Sequence, residues 1–426
     1  MSGIRDHPLR YNLANELHAR PFPTLAAPST AVFLALRTPA NVVGQSRDAE
    51  LAHLLDLLDR FGAPHPQPGA THFTCSIGRN TLKWEMHAEF VTFTVFTDRL
   101  SARPFDPADF EAFPEDWLGA SPGKRITSAL IRVDHMPAPQ KALAELSSWF
   151  VPESIAMCYV LDRSCLVATD FRINAAGHQC MAVFVDKTTG SRRIGRVVQR
   201  LCEIETYKTM SMLGYFRVKA IAANLGALEA EAATLMGKLR SDDEDADSTL
   251  ARLLDLSGDL EKLIADTSFR FGATEAYEAI VHQRITVLRE ERFEGRQTFG
   301  EFMSRRYDPA MRTVASTKAR MMSLADRAGR AGQLLRTKVE VARSAQNQSL
   351  LESMDRRADL ALRLQETVEG LSVVAISYYA VSLAGYLVYP LAGPLGVSKG
   401  VMTAAITLPV VLIVWWLVRR IKARMH

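Results

Sequence analysis

The chain has 426 residues, 48% of them hydrophobic, enough length and apolar material for two soluble domains and more. Its formal net charge of +4 is modest and partly confined to a basic run after Val418, which excludes nucleic acid as the expected partner. Five cysteines, odd in number and widely spaced, fit neither a disulfide framework nor a zinc knuckle and read as buried free thiols.

In chain order, MSGIRDHPLRYNL lacks the apolar run of a secretory signal, so the first domain is expected in the cytoplasm. A helix from Leu9 to His18 places Asn15 and His18 on neighbouring turns before Pro21 and Pro23. TAVFLALRT is a strand, and SRDAELAHLLDLLDRFG is an amphipathic helix capped by Ser46 and stopped by Gly62.

Ala70 to Asp98 reads as a hairpin whose second strand is TLKWEMHAEFVTFTVFTD. Alternation along that strand puts Glu85, His87 and Glu89 on one face and Trp84, Met86, Ala88 and Phe90 on the core face. Carboxylate and imidazole side chains can hold a divalent metal or exchange protons, so His18, Glu85, His87 and Glu89 are the catalytic candidates. The metal candidates are His72, His87, Glu85 and Glu89, with a divalent metal as the cofactor. The competing reading is a polar strand face paired with Arg10, Arg20 or solvent. The chain carries no glycine-rich phosphate loop, nucleophile elbow or HExxH helix.

DPADFEAF and PQKALAELSSWF read as helices between the strands ALIRVD, MCYVLD, CLVATDFRI and HQCMAVFVD, a mixed α+β head with a mostly antiparallel later sheet. TTGSRRIGRVVQRL then opens a helix to about Arg240, and the basic cluster Arg192, Arg193, Arg196 and Arg200 opposes its dipole. Glu203 and Glu205 are the expected internal compensation. SDDEDADS is a solvated turn, and two helices follow, Thr249 to Asp266 and Ala273 to Phe293.

From Pro309 an uninterrupted helical pattern reaches Gly370, roughly 90 Å at 1.5 Å per residue. Val314, Thr317, Met321, Leu324, Ala328, Ala331 and Leu335 follow coiled-coil spacing, and the seam continues weakly through Leu351, Met354, Ala358 and Ala361. A homo-oligomer or a long antiparallel bundle is expected. Two uncharged segments follow, Leu371–Ala392 and Val401–Val418, each long enough to cross a bilayer. Trp415 and Trp416, then Arg419 and Arg420, form an aromatic belt and a cytoplasmic anchor. The short GPLGVSK connection makes the segments an antiparallel hairpin in the cytoplasmic (inner) membrane, with both termini cytoplasmic. Tyr378, Ser382, Tyr386 and Tyr389 share one face of the first segment, suited to interhelical hydrogen bonds or to a pore. The expected layout is thus an α+β cytoplasmic head, 1–190, a helical stalk domain, 191–370, and a two-helix transmembrane hairpin with a basic tail, 371–426.

HPLRYNLANELHARPFPTL, ATDFR, GRVVQRLCEIETYKTM, RRYDPAMRT and NQSLLESMDRRADLALRLQETVEGLSVVAISYY resemble the signature blocks of an uncharacterised bacterial family of predicted membrane-anchored proteins with a domain of unknown function. The resemblance covers essentially the whole chain and implies a membrane protein of no assigned activity. In layout alone the chain is similar to CorA-type magnesium transporters, but Gly393-Pro394-Leu395-Gly396 stands where that family has Gly-Met-Asn. The leading expectation is a membrane-anchored oligomer whose head binds a ligand or a cytoplasmic protein partner at the bilayer. A CorA-like ion channel or divalent cation transporter and a metal-dependent enzyme are the alternatives.

Overall fold

A computed structural model describes residues 5–16, 22–38, 43–238, 246–395 and 398–425. His18 and the SDDEDADS turn up to Asp245 lie outside the described residues. The N-terminal part is mixed α+β: α1 (Arg10–Glu16), β1 (Ser29–Arg37), α2 (Val43–Arg60), β2 (His72–Ile77), β3 (Asn80–Met86), β4 (Val91–Thr97), α3 (Glu115–Gly119), β5 (Lys124–His135), α4 (Pro139–Trp149), β6 (Ala156–Val160), β7 (Cys165–Ile173) and β8 (Gln179–Val185). Long helices follow as α5 (Ser191–Lys238), α6 (Ala246–Thr286), α8 (Asp308–Leu395) and α9 (Lys399–Met425), with β9 (Glu291–Arg292) and α7 (Phe299–Arg306) before α8.

The strands form one nine-stranded sheet in the order β2-β3-β4-β1-β5-β8-β7-β6-β9. Neighbours pair antiparallel except β5 and β8, which are parallel because α4, β6 and β7 intervene between them. Alternation sends Val32 and Leu34 of β1, Trp84 of β3 and Phe93 of β4 to one face, where they pack with Leu54, Leu57 and Leu58 of α2 and Trp117 of α3. Ala31, Phe33 and Ala35 point the other way, into a core shared with Val197, Val198 and Leu201 of α5 and Phe299 of α7.

Two compact units form, Met1–Asp242 with Ala251–Ala331, and Asp243–Leu250 with Gly332–His426. The first turns of α5 complete the sheet's own core. Gly195 permits this: a side chain there would meet the Pro23 carbonyl carbon at 2.7 Å, so only glycine lets the segment before β1 cross the helix.

Other local expectations change as well. α2 starts at Val43, which places Ser46 inside the helix, whereas Gly62, at φ +58°, does end it. The two helices expected between Thr249 and Phe293 are the single helix α6, followed by the short β9. Positive φ at Phe171 breaks the alternation of β7: Asp170 accepts from the Val151 and Arg172 backbone amides, and Arg172 donates to Ser154. Arg193 of the basic cluster meets Asp162 at 3.6 Å, and Arg200 donates to the Val287 carbonyl. Compensation thus comes partly from outside α5; within the helix the Glu203 charge also favours that of Arg200, while Glu205 accepts from Lys208.

Helices α5, α6 and α8 interlock through Arg320–Glu229, Lys318–Glu275 and Arg252–Glu231. Val314 through Ala331 of the expected seam is buried within the first unit, so that stretch is spent on intramolecular packing. Where α5 meets α6, a Cβ at Gly214 would lie 3.0 Å from Cβ of the buried Thr274, whose hydroxyl donates to the Ser211 carbonyl. Gly214→Val therefore overpacks the crossing and should cost about 1–3 kcal/mol, read as a lowered Tm of the full chain. An unchanged Tm would mean that the helices do not approach so closely.

In the second unit, every residue of α8 from Glu340 to Val368 is exposed. α8 and α9 are each long and apolar enough to cross a membrane, and only 6% and 0% of their apolar windows are buried. Some positions are partly covered: Val373, Ser377, Ala380, Val381, Ser382, Ala384, Gly385 and Val388 on α8, and, at every fourth residue, Met402, Ile406, Val410, Val414 and Val418 on α9.

Candidate functional site

β3 ends at Met86, and the chain turns back through His87–Phe90 into β4, closed by the His87 amide donating to the Phe90 carbonyl at 2.8 Å. The single long strand expected from alternation is therefore two strands, and Glu85, His87 and Glu89 do not form one strand face. Nothing in HAEF resembles a glycine or asparagine turn, so local chemistry carried little sign of it.

Glu85 shares the face of Lys83, Thr92 and Thr94, and α5 lies over that face. Lys83 is 4% exposed, sits 3.1 Å from Glu85 Oε1 and donates to Gln199 Oε1 at 2.7 Å. Gln199 Nε2 then donates to Glu203 Oε1 at 2.8 Å, and Arg284 of α6 donates to Glu203 Oε2. An ammonium so deeply buried is tolerated only when paired and hydrogen-bonded, and this relay from β3 through α5 to α6 supplies both. His72 faces Glu85 directly across the β2–β3 ladder.

The turn has its own anchor. Glu89 accepts from Arg270 and, at 2.9 Å, from the Tyr277 hydroxyl, with Arg37 at 3.7 Å. Burial, then the Glu89 charge, pushes the Tyr277 phenol well above its ordinary range, so it stays a donor. The His87 ring stacks on Phe90 at 4.4 Å, and Tyr207 packs edge-on to both.

These groups surround a cavity of about 30 Å³, lined by Lys83, Glu85, His87, Gln199, Glu203 and Tyr207. That is space for about one or two waters, too little for an organic substrate. Among the described residues no group of three His, Cys, Asp or Glu side chains is placed to hold a metal ion. Glu85 and His72 are brought together, but Glu89 is turned away to Arg270, and His18 lies outside the described residues. The arrangement neutralises its own charges and ties the β3–β4 turn to α5 and α6.

The cysteines are all free, four of them buried. Burial raises the Cys165 thiol to about 12 and the Cys180 thiol to about 11, so neither is a ready nucleophile. Sequence reasoning passed over two buried histidines. His53 stacks on Trp117 at 4.0 Å, and His178 Nδ1 lies 2.9 Å from Ser128 Oγ. Burial lowers each to a pKa of about 4, so both rings are neutral at pH 7. Glu290 was also missed: it accepts from the Phe299 and Gly300 amides at the start of α7 and from the Cys158 thiol, and burial raises its pKa.

On the apolar part of α8, Tyr378 and Tyr386 are exposed and Ser382 is half-buried, while the side chain of Tyr389 lies outside the described residues. Arg419 lies over the Trp415 ring at 5.0 Å and Arg420 over Trp416 at 4.9 Å. A family model described as a protein of unknown function, DUF3422, matches residues 5–425. Neither a curated protein nor a solved structure matches the chain.

Proposed function

Taking as premise that the chain belongs to the DUF3422 family, whose model spans nearly all of it, we propose that it is a membrane-anchored protein whose α+β head engages a ligand or protein partner at the cytoplasmic face of the bilayer. The observation that carries this reading is the exposure of both apolar helices: almost none of either apolar window is buried inside the chain. An apolar helix that finds no cover in its own protein is a core helix of nothing, and a lipid environment satisfies it. The partly covered positions between Val373 and Val388 on α8, and the four-residue stripe Met402–Val418 on α9, support antiparallel pairing of the two helices as a hairpin. Tryptophans under arginines at the end of α9 support a cytoplasmic C-terminus in the inner membrane. The N-terminus then lies on the same side.

Full-length protein expressed in bacterial cells should stay in the membrane pellet after alkaline carbonate extraction. A Gly400→Cys variant should react with an impermeant maleimide from outside, and an Arg356→Cys variant only after permeabilisation. Release into the supernatant would overturn the reading. Val410→Arg should weaken insertion of α9 by about 2.5–3.5 kcal/mol, seen as a carbonate-soluble or proteolysed fraction.

A second reading, an ion channel or divalent cation transporter, is favoured by the hydroxyl stripe of Tyr378, Ser382 and Tyr386, whose two tyrosines are exposed. Magnesium flux in liposomes separates it from an anchor. The enzyme reading is weaker, because the carboxylates it needs are already engaged by Lys83 and Arg270.

A further inference from the structure

The basic cluster at the start of α5 keeps more charge than its partners neutralise. Arg192, Arg196 and Arg200 recur every fourth residue along one face of the helix, with Arg193 beside them. The fold adds Arg284 from the last turn of α6 and Arg289 from the loop after it. Arg200 sits among these groups. It is half-buried and donates to the Val287 carbonyl at 3.0 Å, and burial and the charges of Arg196, Arg284 and Arg289 hold its guanidinium below its ordinary range.

Carboxylates do not match this array. Asp162, on the turn between β6 and β7, is shared by Arg289 at 2.8 Å and Arg193 at 3.6 Å, and Glu203 is held by Arg284. Asp186, just after β8, accepts from the amide and hydroxyl of Thr188 in its own loop, and Glu291 is taken by Arg163. Arg196 lies over the Phe22 ring at 5.1 Å, a contact that places a guanidinium without neutralising it. Arg192 is exposed and meets no carboxylate among the described residues. The dipole of α5 is positive at this end and adds to the excess.

The residue type narrows the ligand. Every cation in the array is an arginine, whose planar fork bonds two oxygens of one phosphate at a time, and an excess spread over α5 and the end of α6 calls for more than one negative charge. We propose that Arg192, Arg196 and Arg200 of α5, with Arg289, form a binding site for an anion that carries more than one phosphate group. The site gives a chemical class to the ligand of the proposed head, and it rests on that reading only for its place in the cell, because all of its residues lie in the first compact unit. A soluble molecule is the expected carrier. Tyr307 meets Ser211 and Arg320 meets Glu229, so α5 and α8 run parallel there, and the arginines stand at the end of α5 opposite to the direction in which α8 runs. An acidic phospholipid headgroup is the other source of the same oxygens.

The test is calorimetric titration of inorganic tripolyphosphate into the full-length protein in nanodiscs of neutral lipid, at about 150 mM salt. Arg192→Gln combined with Arg196→Gln, both exposed positions, should weaken binding about tenfold or more and leave the Tm without ligand unchanged. Arg305→Gln combined with Arg306→Gln removes the same charge from the exposed end of α7 and should change the affinity by less than about twofold. No binding to the wild-type chain, or an equal loss from both pairs of substitutions, would overturn the site. A loss of affinity in nanodiscs of acidic phospholipid that the Arg192→Gln, Arg196→Gln protein does not share would uphold the site and assign it to a lipid headgroup; affinity unchanged, or lowered alike in both proteins, would assign it to a free molecule. Carbonate-soluble protein that binds tripolyphosphate with the same dependence on Arg192 and Arg196 would uphold the site while overturning the membrane reading.

Discussion

Glu89→Ala is expected to destabilise the sheet domain by about 3–5 kcal/mol, the cost of leaving a buried charge without its counter-charge. The Glu89 side chain is 8% exposed and that of Arg270 12%, so neither is well reached by water. Loss of the carboxylate leaves the Arg270 guanidinium and the Tyr277 hydroxyl facing each other without an acceptor. Arg37, 26% exposed, can still turn toward solvent, so the penalty falls mainly on Arg270. Glu89→Gln keeps an acceptor for Tyr277 and should cost less, about 1.5–3 kcal/mol, the range for hydrogen bonds to charged groups. Thermal unfolding of the detergent-extracted chain, followed by the fluorescence of the buried Trp84 and Trp117, reads both variants. A Tm of Glu89→Ala within about 2 °C of wild type would show that the cluster does not hold the turn, and would reopen Glu89 as a functional carboxylate.

That cluster marks where reading from sequence stopped. The strand at Ser29–Arg37 and the strands β7 and β8 carry their signals locally, in β-branched and apolar runs, and were legible. The continuity of α8 from Asp308 into the apolar segment was legible too, since no proline or glycine pair interrupts it before that segment. The turn at His87–Phe90 was not, because its determinants are distant. Arg270 and Tyr277 sit on α6, about 180 residues away, and only the folded chain brings them to Glu89. Glu85 was legible as a polar strand position; that it is covered by α5 depends on Gln199 and Glu203, which sequence order does not associate with it.

Two histidines that drew no attention in the sequence should dominate the acid response of the sheet domain. His53 and His178 are 7% and 5% exposed, and each has its folded pKa lowered from 6.5 to about 4. A depressed pKa means that the folded state resists the proton, so the stability is fully present above about pH 6.5 and is lost as pH falls toward 4. At pH 5 each ring contributes a loss of about 2 kcal/mol, about 4 kcal/mol together, at 1.36 kcal/mol per pH unit. Glu290 works in the opposite sense: its raised pKa lets acid relieve the cost of its burial and offsets part of the loss. A single substitution separates the contributions. His53 Nε2 is buried without a hydrogen-bond partner among the described residues, and its ring lies flat on Trp117, so phenylalanine keeps the stack and removes the titration. His53→Phe should leave the Tm at pH 7 equal to or above wild type and reduce the drop between pH 7 and pH 5 by about half. An equal drop in the variant would mean that His53 takes up its proton in the folded state, which its contact with Trp117 and the lack of any partner for Nε2 both oppose.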